Sequence, residues 1–208
     1  MSVITLINRP ARTGAGLHVV QNSAPIDEEA ARRAISDLLR ALGKDVTNPH
    51  LAETPRRVAQ AFAEMLTPRE FDLTTFENEE GYDELVLVRD IPFHSLCEHH
   101  LLPFSGVAHI GYLPGDRIIG LSKLARVLEL FALDLQVQER LTKNVADWLE
   151  ENLQPRGVGV VLEAEHQCMS LRGVKVHGSH TVTSALHGCL REDSRSRQEF
   201  FTLVGLRS

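Results

Sequence analysis

Apolar residues recur every three to four positions in five stretches of the chain, which is the spacing of a helix with one buried face. The first stretch runs from Ile26 to Gly43, with acids in its first turn and a glycine at its end, both typical of helix boundaries. A second helix is predicted to begin at Thr54, with Pro55 in its first turn. The other predicted helices have the sequences LSKLARVLELFA, QVQERLTKNVADWLEENL and DSRSRQEFFTLV.

Four other stretches have the composition and spacing of strands. Their sequences are ELVLVRDIPFHSL, FSGVAHIGYLPGDRIIG, RGVGVVLEAEHQC and SHTVTSALHG, and the second contains a Pro-Gly turn. The predicted order is therefore helices, two strands, two helices, two strands and a helix. Because the strands come in pairs, this order indicates antiparallel hairpins with helices packed on one face, an α+β fold.

The same patterns divide the chain into three parts. Residues 1–24 lack periodicity and are predicted to form a flexible N-terminal arm. Residues 25–80 are predicted to form a helical region that ends in the acidic connection FENEEGYDE. Residues 81–208 hold the predicted strands and the remaining helices, and they contain most of the residues with chemical potential.

Charge and cysteine content exclude several classes of protein. The chain has 208 residues and a net charge of −6 at pH 7, which argues against a general binder of nucleic acid or anionic membranes. It has no run of eighteen apolar residues, and its N-terminal segment does not resemble a secretion signal. Three cysteines without such a signal argue against a disulfide framework and predict a reducing compartment, the cytoplasm.

Histidine and cysteine are concentrated in two windows of the sequence. The first, FHSLCEHHLLPF, contains Cys97, His99 and His100, and the second, EHQCM, contains His166 and Cys168. Cys97 and His100 stand three residues apart, so they share one side of a helical turn. With Cys168 they supply three ligands for Zn²⁺, and three protein ligands are typical of a catalytic rather than a structural zinc site.

Two other interpretations of these windows stay open on spacing alone. The cysteines and histidines could simply be packed in a core, or Cys189 could be a fourth ligand that closes a structural zinc site. His99 and His166 favour the catalytic interpretation, because a structural site needs no additional imidazoles. Imidazole titrates near neutral pH and can transfer protons in a hydrolytic site.

A candidate anion site lies at the predicted start of the helix LSKLARVLELFA. Ser122 lies in its first turn, and Lys123 and Arg126 share one helix face. A solvated basic face is the alternative. Arg172 follows Cys168 by four residues, and Arg57 lies near the start of another helix, but the sequence does not show that these cations converge.

The segment QVQER places Gln138 and Glu139 at the start of a helix. A carboxylate there could accept the two parallel N–H groups of a guanine edge. The alternative is that acids and amides are common in first helical turns, and spacing does not decide between the two.

Taken together, these segments resemble the type I GTP cyclohydrolase family. The motifs CEHHLLPFSG, IGLSKLAR, LQVQERLT, EAEHQCM and HTVTSA occur with that family's order and spacing, over about residues 26–206. The resemblance implies zinc-dependent conversion of GTP and water into formate and 7,8-dihydroneopterin triphosphate, the first step of pterin and folate biosynthesis. It also implies a tunnelling fold, in which sheets of several subunits close into barrels in a toroidal decamer of two pentamers.

The resemblance also implies roles for particular residues. The implied zinc ligands are Cys97, His100 and Cys168. The implied acid and base groups are His99 and His166, with Ser122 as a polar group in the active site. The implied substrate contacts are Arg57, Lys123, Arg126 and Arg172 for the phosphates and Gln138 and Glu139 for the nucleoside, with Glu139 on guanine.

Three positions depart from the family pattern, because Val107, Asp134 and His180 stand where many members carry a cation. These changes affect the expected charge at the rim of the site more than the zinc chemistry. Two rival functions are a zinc hydrolase of another purine nucleotide and a non-catalytic, zinc-stabilised oligomeric binding module.

Overall fold

A computed structural model describes residues 3–9, 16–22 and 25–206 of the chain. Its helices are α1 (Glu28–Ala41), α2 (Thr54–Met65), α3 (Leu121–Ala132), α4 (Gln138–Leu153), α5 (Gln167–Ser170), α6 (Cys189–Glu192) and α7 (Ser194–Val204). Its strands are β1 (Val3–Arg9), β2 (Gly16–Asn22), β3 (Phe71–Leu73), β4 (Thr75–Glu77), β5 (Val86–Cys97), β6 (Pro103–Leu113), β7 (Arg117–Ile119), β8 (Leu135–Gln136), β9 (Gly157–His166) and β10 (Thr181–Gly188).

A five-stranded sheet forms the centre of the fold, with the strand order β10-β9-β6-β5-β8. The pairs β5–β6, β6–β9 and β9–β10 are antiparallel, and only the short β8 runs parallel to its neighbour β5. The sheet and its flanking helices confirm the predicted α+β class. The five long helices also lie where their apolar periodicity predicts them, within one or two residues.

Helices α3 and α4 cover one face of this sheet. Strand β9 contributes Val158, Val160 and Leu162 to the core beneath them, and all three are fully buried. Residues two apart on a strand share a face, so the alternation along β9 fixes which side meets the helices. Leu124 and Leu141 are buried from the helix side.

The expectation that helices cover only one face is wrong, because α7 packs on the opposite face. Val161 of β9 forms a second core cluster there with Leu190, Phe200 and Val204. The Phe200 ring lies so close to Gly159 that a Cβ at this position would be 2.7 Å from the ring. The run GVGVVLEA is apolar on both faces, which is typical of a strand that is covered on both sides.

The N-terminal segment also differs from its prediction as a loose arm. Strands β1 and β2 pair with each other, and β2 pairs with β3 to make a three-stranded sheet. These strands lack strict alternation, and β3 is about 50 residues away in sequence, so a local pattern does not reveal the pairing. Residues 1–2, 10–15 and 23–24 lie outside the described residues.

The proposed boundaries after residues 24 and 80 stay a prediction. Strand pairing joins residues on both sides of each: β2 pairs with β3, and β4 pairs with β7. Among the described residues, no helix is both long and apolar enough to cross a membrane.

An irregularity in β5 places a polar group in the sheet. The register shifts between Val88 and Ile91, and Asp90 between them has a φ of 57°. The Asp90 backbone N–H donates to Nδ1 of His109 at 3.3 Å. Burial of His109 lowers its pKa, and the nearby Asp90 carboxylate only partly opposes this. The neutral imidazole is thus part of the folded structure.

We therefore expect the free energy of unfolding to decrease as the pH falls below about 6.5, the pKa of histidine in an unfolded chain. Below that pH the unfolded chain binds a proton that the folded state disfavours, and the loss continues down to the lowered pKa of His109. The test is to measure the thermal midpoint at pH 7.5 and 5.5 for the wild type and for His109→Asn, which keeps an acceptor but does not titrate. The difference between the two pH values should be smaller in the variant; an equal difference would contradict the role of His109.

Candidate metal centre and active site

A tight turn at the end of β5 brings Cys97 and His100 together. The Cys97 carbonyl accepts from the backbone N–H groups of His100 and Leu101, at 3.2 Å and 2.9 Å. Leu101 has a φ of 55°, and the Cys97 N–H donates to Leu102, which closes the turn. As a result, Cys97 Sγ lies 3.7 Å from His100 Nδ1.

Cys168 completes a group of three potential metal ligands. It lies in α5, one residue after the end of β9. The ligand atoms of Cys97, His100 and Cys168 all lie within 4.8 Å of one another. A tetrahedral zinc ion with ordinary bond lengths separates its ligand atoms by about 3.5–3.8 Å. The spacing and the soft donor set therefore fit Zn²⁺ with small adjustments.

The electrostatics of the two thiols also favour a cation at this position. The pKa of the Cys168 thiol is raised, first by burial and then by the neighbouring Cys97, while Arg172 opposes the shift. Two sulfur atoms this close resist ionisation together unless a positive charge lies between them. A bound divalent cation reverses the shift and stabilises both thiolates.

Cys189 lies far from this group, which excludes a closed four-ligand site within one chain. Its Sγ lies against Gly157, at the first residue of β9, whereas His166 and Cys168 lie at or just after the last. A strand of 10 residues spans roughly 30 Å at about 3.3 Å per residue.

His99 lies beside the three ligand residues without joining them. Its Nδ1 is 3.9 Å from Cys97 Sγ, and its Nε2 is 3.8 Å from a carboxylate oxygen of Glu98. The side chain is 63% exposed, so its imidazole is open to solvent or to a substrate.

His166 is held more rigidly than His99. Its ring stacks on Phe104 with the planes 3° apart and the centroids at 4.5 Å. Its Nε2 lies 2.8 Å from Oε1 of Gln138. Burial lowers the pKa of His166, and Glu139 acts in the opposite direction. Glu139 is thus close enough to influence this imidazole.

Sequence reasoning missed the contacts that hold the turn after Cys97. Arg140 donates to the Glu98 carboxylate at 2.6 Å, to Gln136 Oε1 at 2.9 Å and to the Leu135 carbonyl at 2.7 Å. Arg140 therefore ties the turn with His99 and His100 to the start of α4. The spacing of Gln136 and Arg140 indicates a helical pair, but no local pattern indicates Glu98.

The predicted phosphate contacts on α3 have protein partners in this chain. Arg126 pairs with Glu129 at 2.9 Å, and Arg69 pairs with the same carboxylate at 2.7 Å. The Lys123 ammonium lies 5.9 Å from the centre of the Phe71 ring. Ser122 and Arg57 are exposed.

The start of α3 lies at the opposite end of the sheet from Cys97. Ile119, just before α3, donates to the Tyr112 hydroxyl near the far end of β6. Helix α3 then runs back to β8, which pairs with the last residues of β5. At about 1.5 Å per residue its 12 residues put Ser122 and Lys123 roughly 15–18 Å from that end. One chain therefore carries two separate groups of the predicted site residues.

Comparison with known proteins gives a consistent result. The GTP cyclohydrolase I family matches residues 31–205. GTP cyclohydrolase 1 of Aquifex aeolicus is 54% identical over 179 residues, covering 86% of this chain and 97% of that protein. The protein of the same name from Thermobifida fusca is 49% identical over 201 residues, covering 94% of this chain and 95% of its own. With the family matched over most of its length and relatives of about 50% identity, this chain belongs to the GTP cyclohydrolase I family.

Proposed function

We propose that this protein is a zinc-dependent GTP cyclohydrolase I, which converts GTP and water into formate and 7,8-dihydroneopterin triphosphate. This reaction is the first step of tetrahydrofolate and pterin biosynthesis. The observation that carries the proposal is the convergence of three ligand atoms within 4.8 Å, flanked by two further imidazoles, in a member of this family.

Cys97, His100 and Cys168 would hold the zinc ion. When bound, zinc with three protein ligands can lower the pKa of a coordinated water to about 7, which supplies hydroxide at neutral pH. The thiols and the Nδ1 atom of His100 are the donor types that zinc prefers.

His99 and His166 would transfer protons during the reaction. Protonation of N7 of the purine makes C8 more electrophilic, and opening of the imidazole ring then releases C8 as formate. Opening of the ribose and closure of the pterin ring need further proton transfers. His99 is exposed and mobile enough to exchange protons with solvent, whereas His166 is fixed by stacking and by Gln138.

Two further features support an active site that is shared between subunits. The cations at the start of α3 are separated from the ligand residues within one chain, although the substrate carries both a purine and a triphosphate. The edge strand β10 is free of a second neighbour among the described strands, and β5 is paired on its outer side only at Leu96 and Cys97. Edges of this kind can pair with other copies. We propose that the sheets close into barrels in a toroidal decamer of two pentamers.

Measurement of formate release from purified protein tests the proposed reaction. Formate from GTP in the zinc-loaded protein supports it. Release from another purine nucleotide but not from GTP would indicate a different zinc hydrolase, and binding of GTP without turnover would indicate a binding module.

A mixing experiment tests whether sites are shared. Cys97→Ser and Lys123→Glu damage different groups of site residues, so each variant alone should be nearly inactive. When they are co-expressed, about a quarter of shared sites should receive both intact groups by random assembly. Activity no higher than the average of the two parents would place the whole site in one chain.

Glu139 is expected to select guanine. Its carboxylate would accept from N1–H and from the 2-amino group of GTP, and ITP lacks the second donor. An unpaired polar group in a buried site costs about 1–3 kcal/mol, so wild-type kcat/KM for ITP should be about 5- to 150-fold lower than for GTP. Glu139→Ala should remove most of this difference. If the GTP/ITP ratio does not change, Glu139 does not contact guanine.

A further inference from the structure

The side chain of Gln138 is engaged entirely by the protein. Gln138 is the first residue of α4 and is 1% exposed. Its Nε2 donates to the carbonyls of Leu162 and Thr181 at 3.1 Å and 2.9 Å, and to the Thr183 hydroxyl at 3.1 Å. Its Oε1 lies 2.8 Å from His166 Nε2. The amide thus bridges β9, β10 and the histidine at the end of β9.

Two carbonyl oxygens fix the orientation of this amide. Carbonyl oxygens only accept hydrogen bonds, so the atom that faces Leu162 and Thr181 must be the nitrogen. A flipped amide would place its oxygen against both carbonyls. The orientation with Oε1 toward His166 is therefore the one that satisfies every partner.

A closed chain of hydroxyl groups supports the same orientation. The Thr142 hydroxyl donates to the Gln138 carbonyl at 2.7 Å, and it lies 2.6 Å from the Thr183 hydroxyl. Because Thr142 uses its single hydrogen on that carbonyl, Thr183 must be the donor between the two threonines. Thr183 then has a lone pair for the Gln138 amide.

This network determines which nitrogen of His166 carries the hydrogen. An amide oxygen only accepts, so His166 must donate from Nε2, and its neutral ring has a lone pair at Nδ1. The stack with Phe104, at 4.5 Å and 3°, holds the plane of the ring. Contacts on the edge and on the face together leave the ring a single orientation.

We propose that Gln138 is a positioning residue that fixes the tautomer and orientation of His166, rather than a contact to the nucleoside. This role rests on the proposed cyclohydrolase function, in which His166 transfers a proton. Residues that orient a catalytic histidine through its second nitrogen commonly serve in this way. Gln138 would affect turnover through His166 without touching the substrate.

Nitrogen NMR of the zinc-loaded protein tests the tautomer directly. In protein labelled with ¹⁵N-histidine, the His166 signals are identified by their absence from His166→Ala. They should show hydrogen on Nε2 and a lone pair on Nδ1. Hydrogen on Nδ1 of the neutral ring would overturn the proposal. This readout needs no turnover, so it is independent of whether GTP is the substrate.

Kinetics of Gln138→Met test the consequence for turnover. Methionine has a similar length and cannot hold the imidazole by a hydrogen bond. We expect kcat to fall about 10- to 100-fold, the size of effect that a small misplacement produces, while the Kd for GTP and the zinc content stay within about twofold. Gln198→Met, at an exposed position on α7, is the matched control and should behave like the wild type. A large rise in Kd with unchanged kcat would make Gln138 a substrate contact instead.

A double-mutant comparison separates positioning from a general structural role. In a His166→Ala background, Gln138→Met should cause no further loss of kcat, because the residue it positions is gone. An equal loss in both backgrounds would overturn the proposal. If Gln138→Met does not fold, Thr183→Val removes one partner of the amide, and its smaller loss of kcat should likewise disappear in the His166→Ala background.

Discussion

Cys97→Ser, His100→Ala and Cys168→Ser are each expected to lose tightly bound zinc and with it formate release. Two remaining ligands do not hold zinc tightly, and without the metal no hydroxide is supplied at neutral pH. The loss of turnover should be on the order of 10³-fold or more, since the pKa of water returns from about 7 toward 15.7. Metal analysis of the purified variants, together with formate measurement, checks this result.

Cys189→Ser is the matched control for the two cysteine variants. Cys189 lies near the start of β9, at the other end of the strand from Cys168, so this variant should keep both zinc and activity. X-ray absorption of the zinc-loaded protein should show two sulfur ligands and one histidine nitrogen from the protein. A coordination shell of three sulfurs and one nitrogen would refute the catalytic interpretation and indicate a structural zinc site.

His99→Ala and His166→Ala are expected to keep zinc and to lose catalysis. Both imidazoles lie beside the three ligand residues, and neither belongs to the group whose ligand atoms converge within 4.8 Å. General acid and base groups contribute about 10²- to 10⁴-fold to a rate, so losses of this size are expected in kcat.

Zinc content measured beside turnover distinguishes this result from loss of the metal centre. His50→Ala, at an exposed position between α1 and α2, should retain both zinc and full activity. Loss of zinc in His99→Ala or His166→Ala would show that the histidine concerned is a metal ligand, and would change the ligand set given above.

Local sequence patterns predicted the elements of this fold better than their packing. Helical periodicity placed α1 to α4 and α7, and the apolar run of β9 predicted a buried strand. The same run did not show that Phe200 would cover its second face, because the contact joins residues about 40 positions apart. The pairing of β2 with β3 was missed for the same reason.

The candidate site shows a similar division. The spacing of Cys97 and His100 predicted their contact, since a single turn determines it. The distance between Lys123 and the ligand residues depends on the course of α3 across the whole sheet, which no motif records. The burial of Gln138 depends on carbonyls of β9 and β10, so the sequence alone suggested a substrate contact there.

The position of the two cysteines has a consequence for the sheet itself. Cys97 ends β5, while Cys168 follows β9, and β6 lies between these strands. A metal held by both would cross-link strands that do not touch, and it would close a loop of about 70 residues, which lowers the entropy of the unfolded chain. The ion would then act as a clasp at the open end of the sheet. The geometry needed for the reaction and the mechanical integrity of that end would depend on the same three bonds.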